Sequence, residues 1–107
     1  MEKITVLISD DAALYLDDLV EILYHNNYFG FIEGAEAYMS RIYDFIHQNI
    51  ETFPNRKTPA ELKSFGDFYF FYKINPRTTW YIFFQKEEND FLITHVINNH
   101  CEAAKYL

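Results

Sequence analysis

The chain is short of cysteine, of cations and of long apolar runs, and each shortage removes a class of protein. One Cys in 107 residues, Cys101, excludes an intrachain disulfide framework and any cysteine-based zinc finger, and it fits a reducing compartment. Nine Lys and Arg against sixteen Asp and Glu leave a net charge of −7, so long-range attraction to nucleic-acid backbones or anionic lipid is disfavoured. Trp80 to Phe84 is an uncharged apolar run of only five residues, far below the roughly 20 needed to cross a bilayer. Ile4 to Ile8 is the apolar stretch near the N-terminus, and Asp10 and Asp11 cut it off before it could serve as a signal peptide. These features predict a cytoplasmic protein that does not span a membrane.

What the chain does have is apolar and aromatic weight. Half of its residues are hydrophobic, 20% are aromatic and 23% are charged, which is enough core-forming material to offset the chain entropy of a single domain over residues 1–107. Its charge is unevenly spread. Residues 1 to 56 hold ten acids and three bases, whereas residues 57 to 107 hold six of each. No internal repeat or low-complexity tract interrupts the pattern.

Periodicity divides the chain into a helical first half and a sheet-forming second half. Ile4-Thr5-Val6-Leu7-Ile8 reads as a short strand, Ser9 as a helix N-cap, and Asp10 and Asp11 as first-turn acids that suit the helix dipole. Ala12, Leu16, Leu19 and Leu23 then recur at helical spacing, with Asp17, Asp18 and Glu21 on another side. Asn26, Asn27 and Gly30 suit a turn, and a second helix is expected from near Phe31 or Ile32, with Gly34 inside its first turn. Its apolar stripe is Ala35, Met39, Ile42, Ile46 and Ile50, and Pro54 stops it soon after. Residues 51 to 66 read as a loop with one helical turn at Ala60 to Lys63.

Three strands are predicted after that, Phe68 to Ile74, Thr78 to Gln85 and Phe91 to Asn98, separated by turn residues. The fold class is therefore α+β: an N-terminal strand, a helical hairpin and a three-stranded antiparallel meander, in the order β-α-α-β-β-β. Alternation puts Trp80, Ile82 and Phe84 on one face against Thr79, Tyr81, Phe83 and Gln85 on the other. In the last strand it sets Leu92, Thr94 and Val96 against Ile93, His95 and Ile97. The first strand and the hairpin are expected to cover one face. The other would keep Tyr69, Phe71, Tyr81, Phe83 and His95 for a partner protein or a homodimer.

The element order, the segment Thr78-Thr79-Trp80-Tyr81-Ile82-Phe83-Phe84 and the closing Ile97-Asn98-Asn99-His100 resemble the RelE/ParE superfamily of toxins from bacterial type II toxin–antitoxin modules, and within it the ParE-like or plasmid-stabilisation branch. The resemblance implies a growth-inhibiting toxin whose exposed sheet face or groove is wrapped by an extended antitoxin segment. ParE-like members act on a protein target such as DNA gyrase. Members that cleave mRNA on the ribosome carry basic residues on the sheet and often a late Tyr. In this chain Tyr69 stands where one of those arginines would be, and His100 and Cys101 take the place of the last. A RelE-like endonuclease reading would rest on His100, Tyr106, Lys73 and Arg77. A third reading is a degenerate member that only binds a partner.

The residues alone suggest one more cationic feature, a residual phosphate-binding patch of Lys63, Lys73, Arg77 and Lys105 beside Tyr69. His95, His100 and Cys101 have neither the spacing nor the third ligand of a metal site, and no residue pattern calls for a cofactor.

Overall fold

A computed structural model describes residues 4–25, 34–52 and 54–107. Strand β1 (Thr5–Ile8) leads directly into helix α1 (Asp10–His25), which starts where the sequence places it. The Ser9 hydroxyl accepts the Ala12 N–H at 3.1 Å and so satisfies one of the helix's unpaired donors. Ala12, Leu16 and Leu23 are buried as expected, and Val20 joins them on the inner face. Helix α2 (Ala35–Asn49) begins at Ala35, the first residue of its apolar stripe. Gly34, expected inside the first turn, is instead the extended N-cap residue, at φ −82° and ψ 168°. The predicted turn at Asn26, Asn27 and Gly30, and the predicted helix start at Phe31 or Ile32, lie outside the described residues.

Five strands form one mixed sheet in the order β1-β5-β4-β3-β2. The expected meander is present as β3 (Phe68–Asn75), β4 (Thr78–Glu87) and β5 (Asp90–Asn98), antiparallel throughout. Two strands extend it. β1 does not cover a face of the sheet; it lies in the sheet's plane, parallel to β5, with Thr5 opposite Asp90 and Ile8 opposite Ile93. β2 (Arg56–Lys57), inside the segment expected to be a loop, adds an antiparallel rung to the far edge against Phe68 and Tyr69. Two residues carry too little alternation to be recognised as a strand.

The helices pack on one face, called the front. Its core unites Leu16, Val20, Tyr38, Ile42 and Ile46 with Phe70, Trp80, Ile82, Phe84, Ile93 and Val96 of the strands. Contacts of several kinds hold α2 over the sheet, among them the Arg41 guanidinium donating to the Ile74 carbonyl at 3.0 Å. The Trp80 indole N–H donates to the Tyr38 hydroxyl at 2.9 Å within the core. Phe45 stacks on Tyr72 with ring centroids 4.1 Å apart.

The alternation expected for β5 fails at one point. Phe83 pairs with His95 and Phe84 with Ile93, so Thr94 is an extra residue, a bulge. Before it Ile93 faces the front; after it Val96 does. Ile93 and Val96 thus share a core that strict alternation would divide between them. Gly66 makes this geometry possible. It sits at φ 157°, and a Cβ there would lie 2.7 Å from the Thr94 hydroxyl and 3.0 Å from the Phe84 nitrogen. The close approach lets the Thr94 hydroxyl donate to the Phe65 carbonyl.

The second face, the back, differs most from expectation. Two 3-10 helices of the chain itself, η1 (Ala60–Phe65) and η2 (Glu102–Tyr106), lie over it. Leu62, Tyr69, Phe83 and Ile97 form a second buried cluster there, with Phe65, Tyr81, Cys101, Ala103, Ala104 and Leu107 packed around it. The open apolar flank anticipated for a partner is largely filled.

Candidate functional site

The back face is built by alternation along β3 and β4. Tyr69, Phe71 and Lys73 point to this side on one strand and pair with Phe83, Tyr81 and Thr79 on the next. β2 adds Arg56 beside Tyr69. η1 and η2 cover the part nearest β5, so an uncovered strip remains toward β2. It forms a depression of about 290 Å³ lined by Arg56, Tyr69, Phe71, Lys73, Thr79, Tyr81 and Leu107.

Two cations, two phenols and a threonine border this depression, and no Asp or Glu side chain lines it. The Arg56 guanidinium lies 5.5 Å from the centre of the Phe71 ring, a cation–π distance. Such a site suits a ligand with a negative group and a flat or apolar body: the cations attract the charge, and the rings give the body a surface. In a chain of net charge −7 its cationic rim is a local inversion of sign.

Of the five residues expected to meet a partner, Phe71 and Tyr81 are half-buried walls of the depression. Tyr69 lines it too but is only 7% exposed. Phe83 is wholly buried beneath η1, its ring edge-on to Phe65 at 5.3 Å, and has no surface to offer. His95 lies flat against Phe65, with ring centroids 3.9 Å apart, and meets the edge of Tyr15 from α1 at 4.3 Å. Its burial there lowers its pKa from the ordinary histidine value. Phe83 and His95 are therefore packing residues: the cover that η1 supplies has no periodic pattern to announce it.

The four residues of the endonuclease reading are distributed over three places. Lys73 lines the depression. Arg77 and His100 belong to one end of the sheet, where Asn75, Asn98 and Asn99 order the turns. The Asn75 side-chain oxygen accepts from the Arg77 and Thr78 N–H groups, both at 2.9 Å. The Asn99 amide donates to the Arg77 carbonyl at 3.1 Å, and His100 Nε2 lies 3.2 Å from the Thr78 hydroxyl. Tyr106 is on η2, 44% exposed, with the Lys105 ammonium 5.2 Å from its ring centre.

Of the expected phosphate patch, Lys73 and Tyr69 line the depression, whereas Lys63 is exposed on η1 and Lys105 pairs with Glu102 at 3.6 Å. Arg56, which completes the cationic rim, escapes sequence reasoning because its segment reads as loop. The signal available is the adjacent pair Arg56-Lys57 set between prolines. Cys101 does not pair with His100; its thiol lies 3.6 Å from the Asn98 side-chain oxygen. Among the described residues no three His, Cys, Asp or Glu side chains cluster as a metal site would require.

A second depression, of about 600 Å³, opens between α1 and α2 and is lined by Asp17, Val20, Glu21, Glu36, Met39, Ser40 and Tyr43. Its rim is acidic. Burial, and then the Asp17 charge, raise the pKa of the Tyr43 phenol. The two depressions therefore differ in sign, cationic behind the sheet and anionic between the helices. Comparison of the chain with protein-family models, with curated proteins and with solved structures finds no match.

Proposed function

We propose that the chain is a toxin of the RelE/ParE type, ParE-like in acting on a protein target such as DNA gyrase, and neutralised by a cognate antitoxin. The back-face depression carries the reading. It is an open strip beside a sheet edge, with rings for apolar side chains and the Arg56 and Lys73 cations for acidic ones. An extended antitoxin segment would occupy this strip and not the whole face, because η1 and η2 already fill the remainder. The element order supports the same reading as far as a strand, two helices and an antiparallel meander with both helices packed on its front.

A second reading, a ribosome-dependent mRNA endonuclease, is favoured by a single feature: Arg56 and Lys73 stand together with Tyr69, Tyr81 and Thr79 as a phosphate would require. Against it, His100, Arg77 and Tyr106 do not line that depression. A cleavage site needs its base, acid and cations within reach of one phosphate.

Induced expression without antitoxin tests the first reading. Growth should stop, purified protein should inhibit gyrase supercoiling, and transcripts mapped during the arrest should be intact. Arg56→Glu with Lys73→Glu should abolish neutralisation by the antitoxin encoded beside the toxin. Unimpaired growth on induction would overturn the toxin reading, and transcripts cut in a ribosome-dependent way would transfer it to the endonuclease.

A further inference from the structure

We propose that two copies of the chain join edge to edge through β1, in an antiparallel pairing centred on Val6. The two edges of the sheet are protected unequally. At one edge, β2 is two residues long and both are cationic, a device that discourages further strand addition. At the other edge, β1 presents Thr5-Val6-Leu7-Ile8 without a charge, a proline or a bulge, and no further strand pairs with it among the described residues.

The hydrogen-bonding groups of β1 are divided in the way the pairing needs. The Thr5 N–H donates to the Asn89 carbonyl and the Ser9 N–H to the Ile93 carbonyl, both toward β5. Backbone alternation turns the N–H and C=O groups of Val6 and Ile8 the opposite way, off the edge of the sheet.

A second copy fits this edge better than an arbitrary strand because the segment is symmetric about its centre. Ile4-Thr5-Val6-Leu7-Ile8 reads Ile-x-Val-x-Ile in either direction. With Val6 on the two-fold axis, Val6 meets Val6 of the other copy in a hydrogen-bonded pair and Ile4 meets Ile8. All three residues lie on the front, half-buried against their own core, so the paired strands would join the two front cores with β-branched contacts. Such an axis stands perpendicular to the sheet and keeps the helices of both copies on one side. On the back, Leu7 is 59% exposed and its neighbour across the ladder, Leu92, 39%. The same axis brings both copies of this leucine pair beside the seam.

The net charge of −7 on each copy opposes association, so the dimer should strengthen as salt is added. This interface uses neither depression and is independent of the toxin reading.

Amide hydrogen exchange of the purified chain across a concentration series is the test. The Thr5 and Leu7 amides, bonded within the sheet, should be protected throughout. Protection of Val6 and Ile8 should rise roughly tenfold or more as the dimer forms, in step with the mass measured by sedimentation. Val6→Pro removes an outward donor and leaves the β5 ladder its own donors, so it should yield a folded monomer with unchanged far-ultraviolet circular dichroism. Leu7→Lys, at an exposed position, should do the same should the proline variant fail to fold. Val6 and Ile8 unprotected in a monomer at the highest concentration would overturn the proposal. So would folded variants that remain dimeric, or protection that appears only with an added peptide.

Discussion

His95 shows how the chemistry of a residue follows from what lies above it. Placed between the rings of Phe65 and Tyr15, it has exchanged water for aromatic contact, and burial lowers its pKa from the ordinary value. The unfolded chain therefore takes up this proton at a higher pH than the folded one. Between the depressed folded value and the unfolded value of about 6.5, the unfolded state holds more protons and stability rises with pH. Lowering the pH through that window should weaken the fold, with no further loss from this group once both states are protonated. His95→Phe keeps a flat ring on Phe65 and has no proton to bind. Urea denaturation across the window should show a pH-dependent step in the wild type that is missing in the variant; equal slopes would mean that His95 titrates as it would in water.

Among elements, the link between α2 and β4 depends on one polar contact in an apolar setting. The Trp80 indole N–H has the Tyr38 hydroxyl as acceptor, and both residues are buried. Tyr38→Phe keeps the ring and orphans the indole, which should cost about 1–3 kcal/mol and shift the tryptophan emission, as urea titration would record. No loss of stability would mean that water or another acceptor replaces the phenol. Tyr38 also marks a limit of pattern reading. The stripe Ala35, Met39, Ile42, Ile46 and Ile50 is legible from its spacing, but Tyr38, three residues after Ala35 and four before Ile42, fits that spacing as well as Met39 does, and spacing alone does not show that Tyr38 is the one buried and Met39 only half-buried. α1 can be read almost completely, because Ser9, the first-turn acids and the apolar spacing all agree. β3, β4 and β5 can be read to within two residues at each end, because aromatic and β-branched runs bounded by turns are a strong local signal. The bulge at Thr94 cannot be read: its contacts with Gly66 and Phe65 join residues nearly thirty apart in the chain, and no local pattern records them. The candidate site is half legible for the same reason. Alternation places Tyr69, Phe71 and Tyr81 on one face, whereas Arg56 joins them through a two-residue strand and Phe83 is lost to a cover with no periodicity.

At the scale of the whole molecule the sheet divides two cores of unequal strength. The front is closed by two long helices with many fully buried side chains. The back is closed by η1, which buries Leu62, and by η2, which has no buried residue of its own. η2 holds its place through side chains of moderate burial, with Ala103, Ala104 and Leu107 against the cluster of Tyr69, Phe83 and Ile97. A segment held by so little apolar surface opens at a lower free energy than the helices on the front. Ala103→Asp with Ala104→Asp places two carboxylates against that cluster and should detach η2, at a cost of about 1–3 kcal/mol for the apolar surface returned to water and the charge introduced. Helix content should be unchanged, while an environment-sensitive dye should bind the exposed Tyr69 and Ile97. Hydrogen exchange should accelerate at Ile97 and Tyr81 well before Ile42 or Trp80 responds. Were the front to lose protection together with the back, the two cores would be one cooperative unit, and η2 would be a part of the fold and not a cover laid over it.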